Sequence, residues 1–236
     1  PGILDGLAQW QAVSLKLDVE GNSNGDPFVF NFDPSVFVEG ERPNLKRPKF
    51  LAIVSSEIVA KSLIRRANGE VDGFVVETPD AGGHNAPPRK RPASEANEPM
   101  GFGPKDIPNI ERIQGLGKPF WIAGSQASPA RLSSALASGA TGIQVGSAFA
   151  FCEESGIESK IKREVVDKGL KRALIVKTDF QASPTGYPFK LAEIENTISD
   201  PEKYQDRRRV CDLGYLRQSY ATEDGNIGFR CPGEPK

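Results

Sequence analysis

Val71-Asp72-Gly73-Phe74-Val75-Val76-Glu77-Thr78-Pro79-Asp80-Ala81-Gly82-Gly83-His84 is the stretch on which the reading of this chain turns. An apolar run, Val71 to Val76, is followed by an acidic residue, a short loop, a glycine pair and the only histidine of the chain. Strand tips that run into glycine-bearing loops are where open α/β sheets and α/β barrels keep their ligands. Glycine lets backbone N–H groups come close to an anion, and histidine is the side chain that exchanges a proton near neutral pH. An isolated histidine is by default a loop or core residue with a satisfied hydrogen bond. The glycine pair beside His84, at a strand's end, favours a functional role.

The same rhythm repeats on both sides. Upstream, Phe50-Leu51-Ala52-Ile53-Val54 is a continuous apolar run, as expected of a strand buried on both faces. Ser55-Ser56 can cap a helix that begins at Glu57, with Ile58, Val59, Leu63 and Ile64 as its apolar face and Gly69 at its end. Downstream, Asp106 to Gly115 predicts a short helix, and Pro119-Phe120-Trp121-Ile122-Ala123 a strand that ends at Gly124-Ser125. Ser128-Pro129 opens a further helix, with Leu132, Ala135 and Leu136 facing inward and Gly139 stopping it. Thr141-Gly142-Ile143-Gln144-Val145 is the fourth strand, ending at Gly146-Ser147, with a helix from near Ala148. Strand and helix alternate, so the strands should be parallel. Gly124-Ser125 and Gly146-Ser147 each place a glycine and a small hydroxyl residue at a strand tip, where backbone N–H groups and the next helix N-terminus can receive a phosphate. Barrels of this class hold phosphate in the loops after their last two strands. The structural alternative, glycines that only make tight turns, ranks second.

The flanks are less regular. Gly2 to Val13 predicts a helix with Ile3, Leu4, Leu7, Ala8 and Trp10 on its buried side. Val13 to Val19 alternates apolar and polar residues, Asn22-Ser23-Asn24-Gly25-Asp26 is turn chemistry, and Phe28 to Phe32 is the returning strand of a hairpin. Asp33 to Pro48 and Pro87 to Lys105 are loops, and the Arg89-Lys90-Arg91 run within the second is a solvated surface. Glu158 to Leu170 is a packing helix with Ile161, Val165, Val166 and Leu170 inward and Lys160, Lys162, Arg163 and Glu164 on a solvated face. Asp200 to Arg209, with Arg207-Arg208-Arg209, is a polar loop. Three segments follow: 1–48, a helix, hairpin and linker; 49–155, the strand-helix repeat; and 156–236, a helical and loop extension.

Bulk properties exclude several classes. The 236 residues are 38% hydrophobic, enough for a real core. A formal charge of −1 argues against a nucleic-acid partner. No apolar run reaches the roughly 18 residues of a membrane span. The start, Pro1-Gly2-Ile3-Leu4-Asp5, has neither a signal peptide's pattern nor an initiator methionine. Cys152, Cys211 and Cys231 are too few and too scattered for a disulfide framework, which points to a reducing, cytoplasmic compartment. Cys211 and Cys231 lack the paired neighbours of a zinc site, so no metal is expected, and Cys152 should be a buried small apolar residue.

With these residues in place, the chain resembles the nitronate monooxygenase family, formerly the 2-nitropropane dioxygenases. The resemblance is carried by Gly73 to Glu77 with Ala81-Gly82-Gly83-His84-Asn85-Ala86-Pro87-Pro88-Arg89, by Phe120 to Ser125, and by Gly139 to Phe149. Cys152-Glu153-Glu154-Ser155-Gly156, Ala182 to Lys190 and Cys211 to Leu216 resemble one bacterial branch of the family. The resemblance implies a (β/α)8 TIM barrel that binds FMN. The four strands would be strands five to eight, with the first four before Pro1, the 13–32 hairpin inserted ahead of strand five, and the tail a C-terminal extension. It implies flavin contacts at Gly82 and Gly83, and phosphate-loop roles for Ala123, Gly124, Ser125, Gly146 and Ser147. His84 matches the active-site histidine, which takes a nitroalkane's α-proton or hydrogen-bonds the nitronate. Many members carry a lysine near the tip of strand five, where this chain has Val54-Ser55-Ser56. The implied activity is oxidation of alkyl nitronates by dioxygen. A half barrel exposes two sheet edges and part of an apolar core, which invites self-association into a homo-oligomer. The alternatives are a related flavin-dependent enoyl-thioester reductase using NAD(P)H, and an inactive barrel fragment.

Overall fold

The computed structural model describes residues 1–22, 27–89, 101–179, 187–206 and 218–230. The chain divides into two compact units. The first comprises Pro1–Leu51, Ser62–Asp72 and Arg209–Lys236, and the second Ala52–Lys61 and Gly73–Arg208.

In the first unit, helix α1 (Gly2–Ala8) precedes the antiparallel hairpin of β1 (Val13–Leu17) and β2 (Phe28–Phe32), with Val13 opposite Phe32 and Leu17 opposite Phe28. The hairpin is the one expected. The helix is shorter, because Gln9 already leaves helical geometry and Trp10 takes a positive φ of 58°. Its only buried residue is Gly6; Ile3, Leu4, Leu7 and Ala8 are half-exposed. Arg47 ties the unit together. Its guanidinium pairs with Asp5, and with Asp72 at 2.6 Å, and donates to the Glu70 carbonyl at 2.7 Å. A second hairpin, formed by the last two strands of the chain (Gln218–Ala221 and Ile227–Arg230), adds to residues 18–20 through Glu20 and Tyr220.

The second unit positions the site. Its core is a four-stranded sheet in the order β3 (Leu51–Val54), β4 (Gly73–Glu77), β5 (Phe120–Ala123), β6 (Gly142–Gln144). Phe74 lies opposite Phe120 and Glu77 opposite Ala123, and Ala123 opposite Gln144, all in parallel register. Phe74, Val76, Phe120 and Ile113 are fully buried, each such side chain contributing about 1.5–3 kcal/mol. Between the strands run α2 (Glu57–Arg66), α3 (Ile110–Gln114) and α4 (Pro129–Ala137), and α5 (Ser147–Ala150) follows β6. This is the β/α-barrel type of fold, present as four consecutive units.

Several sequence expectations are corrected here. Asp106 to Gly115 is not one helix: a 3-10 turn covers Pro104–Asp106, and Asn109 caps α3 through a bond from the Arg112 N–H. Strand β3 is not buried on both faces, since it is the edge of its sheet and Ile53 is 60% exposed. The apolar residues Ile58, Val59 and Ile64 of α2 are likewise exposed. On α4 only Ala135 is buried, while Leu132 and Leu136 are exposed. After α5 come α6 (Ser159–Leu170), the antiparallel hairpin of β7 (Val176–Asp179) and β8 (Phe189–Ala192), and α7 (Pro201–Asp206). Helix α6 buries Val165 but exposes Val166 and Leu170. Lys162, assigned above to the solvated face, is buried at 8% exposure, because its ammonium donates to the Glu153 carbonyl at 2.7 Å and the Ser155 carbonyl at 3.1 Å. The expected loop at Asp200 begins as α7, with the Asp200 carboxylate accepting from the Glu202 N–H. Cys152 is half-exposed rather than buried. The turn at 23–26, Lys90 and Arg91, the Ala182 to Gly186 motif, Arg207 to Arg209, and Cys211 and Cys231 lie outside the described residues.

Candidate functional site

The tips of β4, β5 and β6 face a single cleft of about 750 Å³, within the roughly 300–1,000 Å³ range of cofactor and ligand pockets. Gly82 and Gly83 line it from the β4 loop, Ala123, Gly124 and Ser125 from β5, and Gly146 and Ser147 from β6. The seven residues named for cofactor contact are therefore gathered in one place. His84 is not: it is exposed and stands outside the described lining, with its ring edge-on to Phe189 at 4.9 Å between centroids.

Local packing explains how three separate loops meet. Gly124 has a φ of +107°, a conformation open to glycine. A side chain there would also collide with Thr78 Oγ1 and the Ala81 N–H of the β4 loop. Thr78 itself donates to the Ala123 carbonyl through both its N–H, at 3.0 Å, and its hydroxyl, at 3.1 Å. A Cβ on Gly82 would meet Ser147 Oγ at 3.5 Å, an ordinary contact distance, so the β4 and β6 loops come close to one another there. A Cβ on Gly83 or Gly146 would meet nothing within 4 Å, so the backbone is bare on that side.

The cleft fits a phosphate-bearing cofactor. Among the described residues, the N–H groups of Gly82, Gly83, Ser125 and Gly146 have no hydrogen-bond acceptor, and spare backbone donors are what a phosphate uses. The helix contribution is smaller than expected. Helix α4 starts beyond Ser128, whose side chain caps it through the Arg131 N–H, and α5 has only four residues.

Two ionisable groups of the cleft are displaced from their ordinary state. Burial at the tip of β4 pushes the Glu77 carboxyl up. Burial also pulls the Lys190 ammonium down, with the charge of Asp80 acting the other way. Glu77 also lines a smaller cavity of about 40 Å³ behind the loop, with Ser55, Thr78, Asn85, Phe102 and Asp106. Asn85 is buried there; its amide donates to the Ala81 carbonyl at 3.1 Å and its side-chain oxygen has no partner among the described residues. No group of three or more His, Cys, Asp and Glu among the described residues could hold a metal ion. No described helix is long and apolar enough to cross a membrane.

Sequence reasoning missed the far wall of the site. Strand β8 pairs with the glycine loop itself: the Lys190 N–H donates to the Gly83 carbonyl and the Asn85 N–H to the Pro188 carbonyl, both at 2.9 Å. The signal was present in Tyr187-Pro188-Phe189-Lys190, an aromatic and a cation next to one another at the end of a turn-rich run.

A parallel strand-helix sheet with glycine-lined strand tips defines a fold of the β/α-barrel type. The sequence profile of the nitronate monooxygenase family matches residues 30–185, and the chain belongs to that family. A solved structure similar to it is that of a nitroalkane oxidase from Streptomyces ansochromogenes, at 19% identity and a TM-score of 0.45. The similarity covers 60% of this chain and 38% of that one, so this chain spans well under half the length of that relative. No match is found among curated proteins.

Proposed function

We propose that the protein is an FMN-dependent oxidoreductase that oxidises alkyl nitronates with dioxygen. The observation that carries this reading is the single cleft shared by Gly82, Gly83, Ala123, Gly124, Ser125, Gly146 and Ser147. Family membership supports the chemistry. Ser125, Gly146 and Ser147 would receive the cofactor phosphate through their backbone N–H groups and hydroxyls, and Gly82 and Gly83 would lie along the flavin. FMN, when bound, supplies the redox chemistry.

The chain's own groups bind, orient and move protons. His84, one residue beyond Gly83 and braced by Phe189, takes the acidic α-proton of a nitroalkane or hydrogen-bonds the nitronate. Segment 49–155 carries the cofactor, with 1–48 and 156–236 as flanking parts, and the protein works in the cytoplasm as a homo-oligomer.

Titration of the purified chain with FMN, followed by flavin absorbance and fluorescence, tests the reading beside His84→Ala. Saturable binding by both proteins, with turnover of a nitronate lost only in the variant, is the expected result. A chain that binds no FMN would overturn it.

A further inference from the structure

Lys190 is a cation in the cleft that makes no direct ion pair with a carboxylate among the described residues. Its ammonium donates to Thr178 Oγ1 at 2.6 Å and lies over the ring of Phe102 at 5.0 Å. Among the described residues no carboxylate stands within 4.0 Å of it, although Glu77 and Asp80 line the same cleft. It is half-buried, and it is the one cationic side chain among the described residues of the lining. Taking an ammonium partly out of water without a carboxylate in contact is costly; Thr178 and Phe102 supply a dipole and a ring quadrupole, and the charge of Asp80 acts only from beyond ion-pair distance. Such a group is built for an anion that arrives from outside.

Its place is rigidly set. The Lys190 backbone is bonded to Gly83, and Thr178 is its register partner across β7 and β8. Phe189, its neighbour along the strand, touches His84. Alternation along a strand sends successive side chains to opposite faces, so the strand offers an aromatic brace to the histidine and a cation to the cleft. The glycine-serine tips of β5 and β6 already provide backbone donors for a phosphate, whereas Lys190 enters beside the β4 loop.

We propose that Lys190 is the anion-binding side chain of this cleft and that the anion it holds is the nitronate group of the substrate. This rests on the function proposed above and refines it. A nitronate spreads a full negative charge over two oxygens, while its parent nitroalkane is neutral, so a fixed ammonium selects the anion.

The test uses the full chain, its Lys190→Met and Lys190→Arg variants, and nitrate as a planar oxyanion that cannot be oxidised. FMN and riboflavin affinities are measured first, then nitrate affinity of the flavin-loaded proteins from the flavin absorbance. Loss of a charge-assisted hydrogen bond should weaken nitrate by roughly ten-fold or more in Lys190→Met. Lys190→Arg should retain most of the affinity, and flavin affinities should stay within about two-fold, as expected of a residue that does not hold the cofactor. Weaker FMN binding with unchanged riboflavin binding would assign Lys190 to the phosphate and overturn the proposal. Unchanged nitrate affinity would overturn it too. Wild-type protein that binds neither flavin would sink the proposed function instead. Lys190 is then judged by titrating nitrate into the flavin-free wild-type chain and following its side-chain NMR resonance. A saturable shift supports the proposal, and none overturns it; this measurement also serves if Lys190→Met fails to fold.

Discussion

Gly124 and Thr78 are packed so closely that no side chain can be placed between the β5 and β4 loops. The contact fixes the spacing of two of the three strand tips that form the cleft. Gly124→Ala would meet both a forbidden φ and a backbone clash with Ala81. It should cost about 2 kcal/mol of stability, the scale of one residue forced into a sparsely populated backbone region. Urea unfolding measures the loss, and FMN affinity should fall with it. Gly146→Ala, with open space at its Cβ, should leave stability nearly unchanged.

Glu77 makes stability depend on pH in a defined direction. Burial raises its folded-state pKa above the ordinary 4.5. The folded state therefore holds that proton more tightly than the unfolded chain. Its contribution is fully present below the unfolded value and is lost as pH rises through the folded value. Urea midpoints collected from pH 4 upward for the wild type and Glu77→Gln isolate this contribution, since the other titrating carboxylates are common to both. The wild type should lose stability relative to Glu77→Gln as pH rises through the window, leaving the variant no less stable at neutral pH. A difference that stays constant or changes the other way would contradict this assignment.

Lys162 should matter far more than a surface lysine. Its ammonium satisfies two carbonyls of the turn that follows α5. Lys162→Met keeps the aliphatic length but leaves both acceptors without that donor. Hydrogen bonds to charged groups contribute about 1.5–3 kcal/mol each, and partial rescue by water leaves an expected loss of about 2 kcal/mol. Thermal unfolding beside Lys160→Met, whose parent side chain is exposed, distinguishes the two.

The repeat of apolar strand and capped helix was legible because it is local. Phe120 to Ala123 and Ser128-Pro129 announce their structures within a few residues, and both appear where expected. Burial was less legible. Ile53 and Ile58 have the composition of core residues, but what covers a strand or helix face is decided by distant chain, and both are exposed. Lys162 was misread for the same reason: its charge suggested water, while its partners are carbonyls brought near by a turn. The glycine tips could be named from sequence because each follows its own strand. Lys190 could not, since its place depends on β8 pairing with a loop encoded far upstream.

That pairing bears on how the protein is made. The loop from Gly82 to Asn85 leaves the ribosome well before Pro188 and Lys190, whose backbone groups complete its hydrogen bonding. Long-range pairings of this kind form late, because the intervening chain must first be closed into a loop. The cleft therefore acquires this wall only after the roughly hundred residues that separate the loop from β8 have been made. Until then, the glycine tips of β4, β5 and β6 stand without the cation that β8 brings beside them.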